Sequence, residues 1–236
     1  MPSLGGEKRG TAVAQSRWTA GCKAIPVGRW ARGCLRLAPV LLVAIACAAA
    51  PAEARKYPKI FGSIELFSKK VARFPKWTGM IDRFQDGTKL CESSTCTTKG
   101  WKDFIAGLQG KDLQTQLKEV NRAMNAKRYI IDMKNWGQED YWETPYEFLK
   151  KNGDCEDYAI SKYMALKALG VAVDDMRVVA LQDLNLGVGH AVLVVYVGDD
   201  PMLLDNQISS VVPANSIRHY QPVFSINETG WWLHRR

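Results

Sequence analysis

Residues 144–159 read TPYEFLKKNGDCEDYA, and this stretch decides the fold. Thr144, Pro145 and Glu147 spell a helix start. A threonine hydroxyl takes an orphan backbone N–H, proline suits the first helical position, and a glutamate three residues on reaches back to complete a capping box. Asn152-Gly153 ends that short helix, since glycine tolerates the left-handed backbone. Asp154 then opens a second helix as its N-cap, placing Cys155 in the first turn. Ala159, Tyr163, Leu166 and Leu169 carry the apolar face onward until Gly170 stops it.

Working outward, Leu113, Leu117, Val120 and Met124 recur at spacings of three and four, which predicts a helix from Lys111. Residues 132–143 hold Trp136, Tyr141 and Trp142 among polar groups and read as a loop with aromatic anchors. Residues 55–100 read as irregular, apart from an amphipathic stretch around Ile64–Phe74. Beyond Gly170 the pattern changes to β-branched runs. Arg177–Leu181, Ala191–Val197, Met202–Leu204 and Val223–Ile226 are expected strands, with Gly198-Asp199-Asp200-Pro201 as the tight turn of a hairpin. The expected class is therefore α+β, with helices first and an antiparallel sheet after them.

Three residues in this frame suit nucleophilic chemistry. A thiol reacts as the thiolate, and the first turn of a helix lowers a cysteine pKa through its unpaired N–H groups. Cys155 has that place. Of the three histidines, His219 lies in a polar stretch and His234 near the C-terminus. Only His190 opens an apolar strand, after Gly187-Val188-Gly189. Asp205 closes the following strand, and a hairpin turning at 198–201 brings the two together. An imidazole beside a carboxylate has its tautomer and orientation fixed. Taken singly, each residue has a plain structural reading; the ordered set points to acyl transfer. The backbone N–H of Cys155 is a plausible oxyanion donor, and Trp136 is a candidate for a second.

Hydrophobic residues make up 47% of the 236-residue chain and charged residues 24%, values of a globular protein. The net charge of +8 divides unevenly: +5 falls on residues 1–54 and +3 on the remainder. The remainder thus lacks the basic footprint of a nucleic-acid binder. Arg29, Arg32 and Arg36 precede an apolar run from Leu37 to Ala50, followed by Ala52-Glu53-Ala54. That order describes an N-terminal extension and secretory signal peptide over residues 1–54, cleaved after Ala54, ahead of one domain over residues 55–236. The apolar run is short for a membrane span. Loss of this segment leaves Cys91, Cys96 and Cys155. Cys91 and Cys96 suit a small disulfide loop in an oxidising compartment, which leaves Cys155 as the odd thiol.

The segment Gly153-Asp154-Cys155-Glu156-Asp157-Tyr158-Ala159 resembles the nucleophile motif of the bacterial transglutaminase-like cysteine peptidases. Also similar are Trp142-x-Thr144-Pro145-x-Glu147-Phe148-Leu149, Gly189-His190-Ala191-Val192-Leu193, Leu203-Leu204-Asp205-Asn206-Gln207 and Pro222–Asn227 with Gly230-Trp231-Trp232. The likeness spans roughly residues 60–232 and is strongest to the LapG-type periplasmic proteases. It implies a papain-like, transglutaminase-like core with the triad Cys155, His190 and Asp205. It also implies a calcium ion held by Asp154 and Glu156. The implied substrate is the N-terminal region of a large surface adhesin, cut at a di-alanine site to disperse biofilm. The implied partner is an inner-membrane cyclic-di-GMP receptor with a periplasmic domain. Asp154, Glu156 and Asp157 are three carboxylates in four residues, the hard oxygen donors calcium takes, though they supply only part of its shell. The same triad also serves peptidoglycan-directed and other acyl-transfer enzymes, and related folds include catalytically dead binding modules.

Overall fold

The computed structural model describes residues 57–90 and 99–236. The expected signal segment and the Cys91/Cys96 pair lie outside the described residues. Six α-helices are described: α1 Pro75–Leu90, α2 Lys99–Leu108, α3 Leu113–Asn125, α4 Asp132–Asn135, α5 Pro145–Lys151 and α6 Cys155–Ala168. The strands are β1 Ile64–Ser68, β2 Met176–Asp183, β3 Val188–Val197, β4 Asp200–Leu204, β5 Val212–Pro213, β6 Tyr220–Ile226 and β7 Trp231–Arg235. They form one seven-stranded sheet in the order β1-β7-β6-β2-β3-β4-β5. Every pairing is antiparallel. The α+β expectation therefore holds, with one change of order: β1 precedes the helices and returns to the sheet edge beside β7.

Among the described residues of 55–100 the irregular reading fails at α1, while β1 falls within the amphipathic stretch around Ile64–Phe74. α1 is 16 residues long. Trp77 and Met80 of α1 are fully buried, with Ile81 and Phe84 packed against the same core. Those four positions follow the spacing of one helical face. The stretch 132–143 also differs, since its first four residues form α4.

The second helix of the decisive stretch is more deeply set than a one-sided apolar face predicts. All residues from Asp157 to Leu166 are buried, so α6 is enclosed on all sides. It packs on β2 and β3 on one side and on α3 and α5 on the others. The other sheet face carries a second apolar cluster of Val179, Leu181, Val192, Val194, Tyr196 and Leu203. The N-terminal segment covers it, Tyr57 lying 4.6 Å from Tyr196 between ring centroids. With both faces covered, β3 is buried from His190 to Tyr196, which explains a continuous apolar run in place of alternation. The β3–β4 hairpin turns on Gly198 (φ 61°), with Val197 opposite Asp200. No helix among the described residues is long and apolar enough to cross a membrane.

One residue of α6 opposes this packing. Lys162 is fully buried, and its Nζ has no hydrogen-bond partner. Burial pushes its pKa down from 10.5 to about 7, with only the charge of Asp205 pulling the other way. Between those values the unfolded chain binds more protons than the folded one. Stability attributable to this residue therefore rises as pH climbs from about 7 to about 10. Lys162→Met is expected to stabilise the fold at pH 7 by roughly 1–4 kcal/mol, as apolar replacement of buried charges does. It should also flatten the pH dependence of the melting temperature over that window. Melting curves at pH 7 and pH 10 check both; a variant less stable at pH 7 would show that the ammonium has a favourable partner.

Candidate active site

The two helices around the nucleophile are set by local chemistry. Thr144 Oγ1 accepts the Glu147 N–H at 3.3 Å, and Glu147 Oε2 accepts the Thr144 N–H at 2.7 Å, the expected capping box. The break between the helices differs in detail. Asn152, not Gly153, takes the left-handed conformation, at φ 68°. Gly153 is needed for space, since a Cβ there would lie 2.3 Å from Asp157 Oδ2. Asp157 uses that approach to accept the Asp154 N–H at 3.0 Å and the Glu143 N–H at 2.8 Å. Asp154 has extended N-cap backbone, and its carboxylate accepts the Asp132 N–H at 3.3 Å. These bonds hold Cys155 as the first residue of α6.

A cleft of about 590 Å³ opens over this turn, and Cys155 and His190 both line it. Asp205 follows β4 directly, and its Oδ1 bonds His190 Nε2 at 2.9 Å. Asp205 Oδ1 also accepts the Gln207 N–H at 2.9 Å, and Oδ2 accepts the Tyr220 hydroxyl at 2.7 Å. Burial raises the Asp205 pKa, but the bonds and charge from His190, with those from Gln207 and Tyr220, outweigh it and hold the carboxyl below 3.8. The structure thus brings Cys155 and His190 to one cleft and binds Asp205 to His190. It sets the other histidines apart. His234 is buried between the Ser63 and Ser225 hydroxyls at 2.6 and 2.8 Å, and His219 packs on Tyr220. Tyr220 was not foreseen as a partner of Asp205, because nothing local to residues 219–221 marks it.

Cys155 is the free thiol among the described residues. Burial pushes its pKa up, and the Glu156 and Asp154 carboxylates push it further, while the Ala191 N–H at the sulfur opposes them. The thiol donates to Glu156 Oε2 at 3.2 Å. Trp136 does not supply a second oxyanion donor: its indole N–H donates to Glu143 Oε1, and the residue does not line the cleft.

The carboxylates extend beyond Asp154 and Glu156. Asp132, Asp140 and Glu156 each bring an oxygen within 4.8 Å of the others, as do Asp132, Glu143 and Asp157. Oδ1 of Asp132, Oδ1 of Asp154 and Oε2 of Glu143 are buried without a hydrogen-bond partner. Such oxygens are costly to bury unpaired. Burial, with neighbouring carboxylate charges adding, raises the Asp132 pKa to about 6 and the Glu143 pKa to about 7. An all-oxygen donor set with orphaned atoms fits a hard divalent cation. Asp132 could not be found from sequence, since it stands 22 residues before Asp154.

The family model of the bacterial transglutaminase-like cysteine proteinases (BTLCP) matches residues 88–234. Among solved structures, calcium-bound LapG of Legionella pneumophila is 34% identical with a TM-score of 0.55, over 64% of this chain and 87% of that one. The EGTA-treated form of LapG is 33% identical with a TM-score of 0.56, over 65% and 86%. No curated protein sequence matches the chain. A helix-start cysteine sharing a cleft with a histidine is what a cysteine peptidase requires, and with a model matching over half its length the chain belongs to the bacterial transglutaminase-like cysteine proteinases.

Proposed function

We propose that the chain is a periplasmic, calcium-dependent cysteine endopeptidase with Cys155 as nucleophile, His190 as general base and Asp205 as orienting carboxylate. The observation that carries this reading is the placement of Cys155 at the first position of α6, in one cleft with a histidine bonded to Asp205. An ionised carboxylate only accepts, so Asp205 fixes the proton of His190 on Nε2 and leaves Nδ1 to receive the thiol proton. The thiolate attacks a peptide carbonyl and forms a thioester. The imidazolium then protonates the leaving amine, and the neutral ring activates water for hydrolysis. The Cys155 N–H, at a helix start where N–H groups lack intrahelical acceptors, donates to the oxyanion.

Asp154, Glu156, Asp132 and Asp140 would hold the calcium ion, which supplies positive charge against the two carboxylates flanking the thiol. The calcium-bound and EGTA-treated forms of LapG support calcium as the ion. The substrate is the N-terminal region of a large surface adhesin, cut at a di-alanine site so that the adhesin is released and biofilm disperses. An inner-membrane cyclic-di-GMP receptor sequesters the enzyme through its periplasmic domain. Residues 1–54 act as the removable export segment. The likeness to LapG-type enzymes supports these assignments.

Purified protein lacking residues 1–54 is expected to cut an adhesin N-terminal fragment between the two alanines and to leave purified peptidoglycan intact. The reverse outcome would replace the adhesin by the cell wall as substrate. Asp205→Asn should lower kcat by up to about 10,000-fold while leaving a residual rate, because the tautomer is lost and not the nucleophile. Tyr220→Phe should cost roughly tenfold, the worth of one hydrogen bond to a charged group. Steady-state kinetics decide both, and an Asp205→Asn enzyme as fast as the unmodified one would mean that another group orients His190.

A further inference from the structure

Single exposed apolar side chains are ordinary on a protein surface; clustered ones mark contact sites. Ten large apolar residues are about half exposed among the described residues. Three belong to the edge strand β1. Of the other seven, Tyr129 and Val223 line the cleft, and the rest stand within four residues of a lining residue in the chain. Tyr129, Ile131 and Met133 lie on its helix side, exposed by 51–54%. Leu184, Leu186 and Val188 lie on its sheet side, with Leu186 the most exposed at 61%. Val223, 48% exposed, lines the cleft itself, as does Tyr129.

Both flanks are rigidly held, so their exposure is not fraying. The β2–β3 hairpin is bound at its tip by Asp183, whose Oδ1 accepts the Asn185 and Leu186 N–H groups at 2.8 and 3.1 Å. The Gly187 N–H donates to the Asp183 carbonyl at 2.8 Å, and the Leu184 N–H donates to the His219 carbonyl at 2.9 Å. The stems of this hairpin, Gln182 and Gly189, line the cleft next to His190. On the opposite flank the Ile130 N–H donates to the Gly153 carbonyl at 2.9 Å, tying that segment to the turn that carries the thiol. The floor between the flanks is acidic. Glu139, Asp140, Asp154 and Glu156 line it, and no lysine or arginine does.

We propose that the Leu184–Val188 hairpin and the Tyr129–Met133 segment are substrate-gripping flanks. They select an extended, unfolded stretch of polypeptide that carries aliphatic or aromatic side chains a few residues either side of the scissile bond. The proposal rests on the reading of this cleft as a peptidase site. Its occupant is continuous with that reading: the flanks adjoin the thiol and the histidine, so whatever chain presents a peptide bond to Cys155 crosses them. Apolar flanks give affinity for apolar side chains.

The test uses the Cys155→Ala chain, which binds without cutting, and fluorescent peptides with a central Ala-Ala pair flanked by Leu, Ser or Asp. Fluorescence anisotropy is expected to show Leu-flanked peptides bound about tenfold more tightly than Ser-flanked or Asp-flanked ones. Leu186→Ser and Ile131→Ser, both at exposed positions, should each erase most of the Leu preference. The same peptides are then offered to the unmodified enzyme. Cleavage without flank preference overturns the gripping flanks and leaves the peptidase reading standing. Flank-dependent binding without cleavage does the opposite. Equal affinity for Leu and Ser peptides, or affinities unmoved by both flank variants, overturns the proposal. So does a dimer, seen by sedimentation, that Leu186→Ser dissolves, because the flank then serves a second copy of the chain.

Discussion

Cys155→Ala is expected to abolish peptide cleavage, with a fall of roughly four to six orders of magnitude, the loss seen when a covalent nucleophile is removed from a cooperating triad. His190→Ala should do nearly the same, because without the imidazole nothing takes the thiol proton. The two losses should not add, since the residues act as one unit. The thiol donates to Glu156, and burial with both neighbouring carboxylates disfavours the thiolate. Left to itself, then, this cysteine is a poor nucleophile, and its reactivity depends on His190 and on whatever offsets the acids. The fold should survive both changes. Cys155 is only partly buried, at a helix start braced by Asp157 and not by its own side chain. A cost near 1 kcal/mol corresponds to a melting shift of about 2–4 °C for a domain of this size. Cleavage assays beside melting curves test the pair. Undiminished proteolysis by a folded Cys155→Ala protein would end the nucleophile assignment, and an unfolded one would mean that the sulfur is structural.

How much of this is legible in the sequence depends on how local the information is. The Thr144–Glu147 capping box and the Cys155 helix start were readable because every partner lies within four residues. The strand runs were readable because both sheet faces are covered, which leaves a continuous β-branched pattern. Gly153 was read as the left-handed residue, but Asn152 took that role, and the need for glycine came from the approach of Asp157. β1 and β7 pair Ile64 with Arg235 across almost the whole described chain, a relation no local pattern carries. α1 is different. Trp77, Met80, Ile81 and Phe84 did carry helical spacing, masked by Gly79 and Gly87 within the same helix.

The site divides the same way. The cleft shared by Cys155 and His190, and the bond from His190 to Asp205, are legible because helix starts and hairpins fix such residues through nearby sequence. Tyr220 reaches Asp205 through the sheet, and Asp132 reaches Asp154 through the loop preceding α4. Trp136 was a candidate by residue type alone, and its indole proved to be committed to Glu143. Tertiary partners of a catalytic group are the part that composition and spacing leave open.

Removal of calcium should have the second largest effect. In excess chelator, cleavage is expected to fall about 100-fold or more and to return on adding calcium. Magnesium should not restore it, because its small octahedral shell keeps water and suits a multi-carboxylate cage poorly. The structural motive is the set of buried carboxylate oxygens on Asp132, Asp154 and Glu143 that no hydrogen bond satisfies. A second motive is the thiol itself, which bonds to Glu156 and is disfavoured as thiolate by Glu156 and Asp154. A cation that occupies those carboxylates removes both the competing acceptor and the repulsion. Binding should also be visible without any turnover. At a calcium concentration of 100 times Kd, linkage adds about 2.7 kcal/mol, which is a rise in melting temperature of roughly 5–11 °C at this size. Asp154→Ala, Glu156→Ala and Asp132→Asn should each be inactive and melt at a temperature that calcium does not move. Helix capping predicts another pattern, in which chelator is without effect and Asp154→Ala costs only about 0.5–2 kcal/mol. Full activity in excess chelator, together with a calcium-independent melt, would leave these carboxylates as bracing for the loop before α4 and take the ion out of the mechanism.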